Sequence, residues 1–366
     1  MMIMVEWKKI EDSCKTITPP KKLGKELYNE EGTYPIIDQG QNEIVGYTDD
    51  ESALLPIGEY TLFGDHTRYV KYHRGRFAQG ADGLKILKSN DSINSRYFYY
   101  ALINTDIPSR GYSRHWSIAK DLLIPIPSLE EQTRIVGILD TFTSSIENLK
   151  EQIAQRRKQY EYYRDQLIDL EGKEEKDIHS WGEFCEMIKG NGVQKVDFVD
   201  EGVGCIHYGQ IYTHYGPYTY ETNKFVSKEV FEKARKASKG DIIMTDTSEN
   251  VEDICKSVAY LGEDDIAVSN HALIIKHNQN PKFLSYSTQT ACFFNQKRKV
   301  VFGVKVSGIK PEQLAKINIY LPSLQEQSRI VSILDTFEAS IRNLEAQIAQ
   351  REKQYEYYRN KLLTFE

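Results

Sequence analysis

Glycine-rich polar loops contain the side chains with the most specific chemistry in this sequence. They read QGQN (39–42), GDHTR (64–68), RGYSRHW (110–116), GNGVQK (190–195), YGQIYTHYG (208–216) and TSEN (247–250). In the major groove of DNA, arginine pairs with guanine, and glutamine or asparagine pairs with adenine. Glycine lets a backbone approach a ligand closely. The loops are therefore candidate base-reading segments, although ordinary turns have the same composition.

Two stretches combine positive charge with aromatic residues. Residues 67–88 contain six basic side chains against one acid, and residues 291–316 also contain six against one, so each has a local charge of +5. Such clusters are typical of nucleic-acid-binding surfaces, although a solvated face can carry the same charge. From the loops and these stretches we predict the following DNA-binding residues: Gln39, Gln41, His66, Arg68, Arg74, Arg76, Arg110, Arg114, Asn191, Gln194, Lys195, Tyr208, Gln210, Tyr212, Lys297, Arg298 and Lys305.

Motifs for catalysis are absent from the sequence. It has no phosphate-binding G-x-x-x-x-G-K-[ST] loop, no G-x-G-x-x-G turn after a strand, no G-x-S-x-G elbow and no H-E-x-x-H helix. The five cysteines form no C-x-x-C pair, and His66, His207 and His214 lack metal-ligand spacing. We therefore predict no catalytic residue and no metal site.

A long internal repeat must position the loops. Pro127 to Ile168 and Pro322 to Leu363 align without gaps, and 30 of their 42 positions are identical. Apolar residues recur at alternating steps of four and three, which predicts two helices with a heptad seam, each about 60 Å long. PSLEEQ and PSLQEQ place a serine before acids, as at a helix start. The predicted seam residues are Ile135, Leu139, Phe142, Ile146, Leu149, Ile153 and Arg156, and Ile330, Leu334, Phe337, Ile341, Leu344, Ile348 and Arg351.

Two equivalent seams in one chain favour pairing with each other, and a tandem repeat favours a pseudo-two-fold, antiparallel arrangement. The alternative is that each helix packs only on its own globule. The residues between the helices contain short apolar runs separated by glycines, which predict strands at 34–38, 60–64, 84–87, 205–208, 241–246 and 272–276. We therefore predict an α+β fold with two mixed globules (1–126 and 174–321), a central helix (127–173) and a C-terminal helix (322–366).

Composition is that of a globular protein. The chain has 366 residues, 40% of them hydrophobic, and a net charge of −6. The sequence has no apolar run of membrane-spanning length and no secretory signal, so we expect a cytoplasmic protein that binds no membrane. The net charge by itself argues mildly against nucleic acid, which makes the local distribution of charge decisive.

The repeated helix starts, PSLEEQTRIVGILDTF and PSLQEQSRIVSILDTF, resemble those of the specificity subunit of type I restriction-modification systems. The globules resemble its target-recognition domains in YPIIDQGQNEIVGY, FGDHTR, QGADGLKIL and GNGVQK…CIHYGQIYTHYG. The resemblance covers essentially the whole chain. It implies that each globule reads one half of a bipartite duplex DNA target, and that the paired helices set the gap.

The resemblance also implies the partners. Two modification subunits would dock on the chain and supply S-adenosylmethionine-dependent methylation, and restriction subunits would add ATP- and Mg-dependent cleavage. The chain itself would bind no cofactor and catalyse nothing. Two alternatives stay open: a coiled-coil interaction scaffold without DNA readout, and a fused DNA-modifying enzyme. The target sequence and the gap length cannot be read from the sequence.

Overall fold

The chain divides into two compact units, each of which contains part of both long helices. The structure, a computed structural model, describes residues 5–81, 83–303 and 307–365. Unit 1 comprises Met1–Glu151 with Glu345–Glu366, and unit 2 comprises Gln152–Leu344. The central helix is Leu129–Ile168 and the C-terminal helix is Leu324–Leu363. The domain limits predicted above follow sequence landmarks, whereas these units follow spatial proximity, so the predicted limits remain a prediction.

The described residues of unit 1 form three sheets. A four-stranded antiparallel sheet has the order Cys14–Ile17, Leu84–Ser89, Gly58–Gly64, Val70–Gly75. A three-stranded sheet has the order Gly46–Thr48, Tyr34–Ile37, Ala78–Gln79, and its last pair is parallel. Glu6–Lys9 pairs antiparallel with Leu123–Ile126. The shorter helices are Ile10–Ser13, Ser95–Asn104 and Trp116–Ala119, with 3-10 turns at Lys25–Leu27 and Glu51–Ala53.

Unit 2 repeats this plan with additions. One five-stranded sheet has the order Cys185–Lys189, Ala272–His277, Ile242–Thr245, Ser257–Tyr260, Tyr218–Thr219. The other has the order Phe198–Val199, Lys224–Val226, Val203–Ile206, Ile266–Val268, Lys236–Ala237. Ile178–Ser180 pairs with Asn318–Tyr320, and Thr247–Ser248 pairs with Ser307–Gly308. The helices are Trp181–Phe184, Tyr208–Thr213, Lys228–Lys233, Pro281–Ser287, Ala291–Val300 and Pro311–Leu314, with 3-10 turns at Glu175–Asp177 and Lys195–Asp197.

The predicted strands appear in the sheets, with one difference. The segment 205–208 was predicted as strand throughout, but the strand ends at Ile206. The His207 side chain accepts a hydrogen bond from the Gly209 amide, and the Gln210 side chain accepts one from the His207 amide. These two bonds cap the helix Tyr208–Thr213, so the polar residues after Ile206 begin a helix instead of extending the strand.

The repeated glutamine fastens each long helix to its globule. In unit 1, Gln132 donates to the Pro127 carbonyl at 2.8 Å and accepts from the Asn94 amide at 2.8 Å. In unit 2, Gln327 donates to the Pro322 carbonyl at 2.8 Å and accepts from the Asn280 amide. The asparagine caps a helix of the globule in both cases. The helix starts of the repeat therefore fix the long helices on the globules as well as beginning them.

A repeated aspartate makes the next contact about two turns further along each long helix. Asp140 accepts from Arg96 at 2.8 Å and from the Tyr100 hydroxyl at 2.5 Å. Asp335 accepts from Lys282 at 2.8 Å and from the Tyr286 hydroxyl at 2.7 Å. Burial and the Asp335 hydrogen bond raise the pKa of Tyr286. Each globule thus holds its long helix by an ion pair and a tyrosine hydroxyl contact to the same aspartate position of the repeat.

The two long helices pair antiparallel within each unit. In unit 1, the Phe142 and Tyr358 rings stack with centroids 5.3 Å apart, and Ile135 and Leu139 share a core with Leu363. In unit 2, the Tyr163 and Phe337 rings stack at 5.5 Å. Early residues of one helix meet late residues of the other in both units. The predicted α+β fold with two paired antiparallel helices is confirmed.

Burial follows the heptad pattern with one interruption. The buried seam residues are Ile135, Leu139, Ile146, Leu149, Ile330, Leu334 and Ile341, and the half-buried ones are Phe142, Ile153, Phe337, Leu344 and Ile348. Arg156 and Arg351 are exposed. The Arg156 guanidinium lies 5.9 Å from the Phe337 ring centroid, and Arg351 donates to Gln354 of its own helix. Their part in fixing the helix register remains a prediction.

Candidate nucleic-acid interface

In unit 1, four loops meet at one edge of the sheets. The strand Tyr34–Ile37 leads into the loop 38–42, and the strand Gly58–Gly64 leads into the turn 65–69. The Gln39 side-chain oxygen accepts from the His66 amide at 3.1 Å, and the Gln39 carbonyl accepts from the Thr67 hydroxyl at 2.5 Å. The Asp65 amide donates to the Gly83 carbonyl at 2.6 Å. Hydrogen bonds therefore join segments that are distant in sequence into one surface, called edge 1 below (residues 38–42, 65–69, 80, 81, 83 and 107–115).

A buried aspartate attaches the fourth loop to edge 1. Asp65 is 3% exposed, and its carboxylate accepts from the Trp116 amide at 2.8 Å. Its carbonyl accepts from the His115 amide at 2.8 Å. Lys85 lies 3.9 Å from the second carboxylate oxygen and balances its charge. Asp65 thus positions the segment that carries Arg110 and Arg114.

A buried lysine attaches the first loop. The Lys71 ammonium donates to the Asp38 carbonyl at 2.9 Å and to the Asn42 carbonyl at 2.5 Å, and the side chain is 3% exposed. Burial lowers the pKa of Lys71. This residue belongs to the basic stretch 67–88, but its charge holds the loop that contains Gln39 and Gln41 instead of facing solvent.

Unit 2 has an equivalent edge. The strand Val203–Ile206 leads into His207, and the strand Ile242–Thr245 leads into Asp246, which is 3% exposed. Lys189 lies 3.0 Å from the Asp246 carboxylate. The Tyr208 amide donates to the Ser269 hydroxyl at 2.8 Å, and the Tyr212 hydroxyl donates to the Thr247 carbonyl. These segments (190–195, 207–213, 246–256 and 269–271) form edge 2.

Edge 2 lines an open cavity of about 430 Å³. Its lining consists of rings and hydrogen-bonding side chains: Tyr208, Tyr212, Thr247, Ser248, Glu249, Asn250, Asp253 and His271. The Tyr208 and His271 ring centroids lie 5.3 Å apart. Burial, together with the nearby charges of Lys195 and His271, lowers the pKa of His207. The lining includes the carboxylates of Glu249 and Asp253, whereas edge 1 exposes the guanidinium groups of Arg110 and Arg114.

Backbone strain lies at the same two edges. Among the described non-glycine residues, Arg68, Cys255 and His271 have positive φ, at 62°, 63° and 65°. The Arg68 amide donates to the Gly64 carbonyl, and the Cys255 amide donates to the Thr245 carbonyl, so both residues follow equivalent strands. Left-handed conformations cost energy for residues with a side chain, and they concentrate at functional sites. Their positions make edges 1 and 2 the candidate functional surfaces of the two units.

Edge 1 brings together most of the residues predicted in unit 1. Gln39, Gln41, His66, Arg68, Arg110 and Arg114 all lie on its loops. Arg74 and Arg76 do not lie on edge 1. Arg74 pairs with Glu59 at one end of the hairpin, whereas edge 1 begins at the other end, where Phe63 pairs with Val70. Arg74 lies 3.6 Å from Glu59, and the Arg76 guanidinium lies 5.2 Å from the Tyr34 ring centroid. The structure therefore separates this pair from the other predicted residues, and its DNA contact remains a prediction.

The residues predicted in unit 2 are more dispersed. Tyr208, Gln210 and Tyr212 belong to the helix at edge 2, where Gln210 is bonded to Asn223, and Asn191, Gln194 and Lys195 lie in the adjacent loop. Arg298 is exposed near the Phe294 ring. Lys297 is 4% exposed, and its ammonium donates to the Glu252 and Ile254 carbonyls at 2.9 and 2.8 Å. Burial lowers the pKa of Lys297. Lys305 lies outside the described residues.

Sequence reasoning missed several residues of these edges. Asp65, His115 and Tyr112 of unit 1, and Asp246 and Glu249 of unit 2, were within or beside loops that the glycine pattern identified. The pattern located the loops but could not rank the residues within them, because burial and partner choice depend on distant segments.

The described residues contain no group of three or more His, Cys, Asp or Glu side chains arranged to hold a metal ion. No helix in the described part of the chain is both long and apolar enough to cross a membrane.

The two globules present the same kind of loop edge, and each is joined to one long helix of a repeated pair. This arrangement is typical of a protein with two candidate binding surfaces on a shared helical scaffold. A family model described as "Type I restriction modification DNA specificity domain" matches residues 4–156 and 173–352, so the chain belongs to this family.

The relatives agree with this assignment. The chain is 26% identical to the EcoR124I/EcoR124II specificity subunit of Escherichia coli, over 99% of this chain and 95% of the relative. It is 26% identical to a putative type I specificity subunit of Haemophilus influenzae, over 99% and 96% of the two chains. The S subunit of M. genitalium has a similar fold, with a TM-score of 0.59 at 18% identity over 99% of this chain and 96% of that one.

The predicted resemblance to specificity subunits is therefore confirmed. These relatives are named as specificity subunits, which also confirms the prediction that the chain is a specificity subunit and not an enzyme.

Proposed function

We propose that the chain reads a bipartite, asymmetric target in duplex DNA, with edge 1 contacting one half-site and edge 2 the other. The observation that carries this proposal is the pair of equivalent loop edges. Each lies at the ends of equivalent strands, and each holds a buried aspartate paired with a lysine. The side chains that the edges expose differ, so the same scaffold would present two different hydrogen-bonding patterns.

The paired helices would set the gap between the half-sites and dock two modification subunits. Each helix has 40 residues and is therefore about 60 Å long. The modification subunits would bind S-adenosylmethionine and methylate adenine, and restriction subunits would use ATP and Mg for cleavage. The chain would bind none of these cofactors and would work in the cytoplasm. The repeated helix surfaces support this proposal, because two equivalent partners need two equivalent sites.

A domain exchange tests this function. The complex of the full chain with its modification subunits is compared with one in which residues 1–126 come from another specificity subunit. Binding is measured on a DNA library with two variable half-sites. We expect the exchange to alter one half-site and to leave the other half-site and the gap unchanged.

Two results would contradict the proposal. If both half-sites changed together, the units would not read independently. If the unaltered complex bound all library members equally, the chain would be an interaction scaffold without DNA readout.

A further inference from the structure

Tyr112 is the feature of edge 1 that the proposed function leaves unexplained. Its side chain is 90% exposed, although a tyrosine ring ordinarily buries much of its apolar surface. One face of the ring stacks on the His66 imidazole, with centroids 4.8 Å apart and planes 13° from parallel. The ring therefore projects from the loop in a defined orientation, with its other face open.

The loop that carries this ring is anchored at both ends. His115 is 1% exposed, and its Nδ1 lies 3.0 Å from the Asp65 carbonyl. Its Nε2 accepts a hydrogen bond from the Arg110 amide at 3.1 Å. These two contacts together fit the neutral tautomer with hydrogen on Nδ1, which donates on one side and accepts on the other. One buried ring thereby joins both ends of the segment 110–115 to the strand end.

A tight turn lifts Tyr112 away from the surface. Gly111 has a φ of 67° with no atom near the position of a Cβ, and its carbonyl accepts from the Ser113 amide at 2.9 Å. Below the ring, the His66 amide is fixed by the Gln39 side chain. The backbone on both sides of the ring is thus fixed by hydrogen bonds before any ligand binds, which reduces the entropy that binding would cost.

The neighbours of the ring are cationic. Arg110 and Arg114 are exposed on either side of it along the chain. Arginine side chains contact phosphates or guanine edges, while an apolar ring contacts the thymine methyl group in the major groove. His66 stacks against one face of the ring, so a contact through the other face needs no rearrangement, whereas insertion between two base pairs would require His66 to move.

We propose that Tyr112 determines specificity in the half-site read by unit 1, by packing the open face of its ring against the 5-methyl group of a thymine. This inference rests on the proposed function. The inference adds to the proposed function one DNA-contacting residue, the contact that this residue makes and the base that it reads. His66 and His115 act as positioning residues for the ring, and that half-site contains a thymine in register with it.

The test uses the full chain in complex with its modification subunits, and DNA targets in which each thymine of each half-site is replaced in turn by deoxyuridine. We expect one such replacement to weaken binding about fourfold, since the free energy gained by burying one methyl group corresponds to about a fourfold change in affinity. Tyr112→Ala should abolish this sensitivity at that position alone, whereas Tyr112→Phe should keep it. Tyr220→Ala is the matched control, because Tyr220 of unit 2 is also largely exposed, at 59%, and lies outside edge 2.

Two outcomes would overturn the inference while leaving the proposed function intact. In one, Tyr112→Ala shows the same response to every replacement as the unaltered chain. In the other, 2-aminopurine beside the contact brightens on binding and Tyr112→Ala removes the signal, which would indicate insertion between base pairs. If the unaltered complex failed to discriminate targets at all, the proposed function itself would fail. The substitution should not affect folding, because the Tyr112 side chain is exposed. We expect the thermal unfolding of the variant to match that of the unaltered chain.

Discussion

Two buried lysines, one at each edge, give a sharp test of how the loops are held. Lys71 and Lys297 each donate to two backbone carbonyls of a neighbouring loop, and both are almost fully buried. Replacement by methionine keeps the apolar stem and leaves both carbonyls without their donor. Loss of hydrogen bonds to a charged group costs about 1.5–3 kcal/mol, partly offset by removing a buried charge. We therefore expect each variant to lose about 1–3 kcal/mol of the free energy of unfolding.

We expect both substitutions to change DNA discrimination through the released loops and not through the lost positive charge. Lys71→Met should release the loop 38–42 and weaken discrimination in the half-site of unit 1 only. Lys297→Met should release the segment 252–254 and weaken discrimination in the other half-site. Faster amide hydrogen exchange confined to the freed segment is the structural readout.

The salt dependence of binding separates this account from a direct DNA contact. A lysine that contacts a phosphate contributes about one unit to the slope of log affinity against log salt. A buried lysine that only holds a loop contributes none, so both variants should keep the slope of the unaltered complex. A slope lowered by about one unit in Lys297→Met, with exchange unchanged, would refute the holding role and support the DNA contact predicted from the sequence.

Three further results are expected. Leu139→Ala should lower the free energy of unfolding by about 2–5 kcal/mol in denaturant titrations, because Leu139 is buried in the core of unit 1 beside the C-terminal helix; a loss below about 1 kcal/mol would place the residue outside that core. Burial lowers the pKa of His277, so the unfolded chain binds a proton more readily than the folded chain, and stability should fall as pH drops below about 6.5. His277→Gln should reduce the dependence of the melting temperature on pH, and an unchanged profile would contradict this. Arg114→Ala should lower the slope of log affinity for DNA against log salt by about one unit, and an unchanged slope would remove that arginine from the interface. A parallel measurement on Arg74→Ala tests whether the phosphate contacts extend to the far end of the strand pair, as the sequence predicts.

The sequence predicted the long helices and their pairing well, because a heptad pattern is local and was present twice. Leu139 and Leu334 are buried where that pattern placed them. The same reasoning identified the loops of both edges, since glycine and polar residues there follow short apolar strands. Sequence alone therefore gave the architecture and the approximate location of the candidate interface.

Burial of charge was the part that sequence could not predict. Lysine is almost never fully buried unless it has partners, and the partners of Lys71 and Lys297 are backbone carbonyls, which leave no trace in sequence. The separation of Arg74 from Arg68 depends on the hairpin register, which charge counting ignores. His207 looked like part of a strand because its role as a helix cap depends on Gln210 and on the turn it forms.

Mapping of methylated adenines tests the central claim most directly. Genomic DNA is sequenced from cells that contain the modification subunits with the full chain, and from cells that contain the modification subunits alone. The account predicts one new methylated motif, with two different half-sites separated by a fixed gap, that appears only with the chain. A symmetric or uninterrupted motif, or the same methylation in both cell types, would contradict the claim that the two units of this chain each read one half of a divided target.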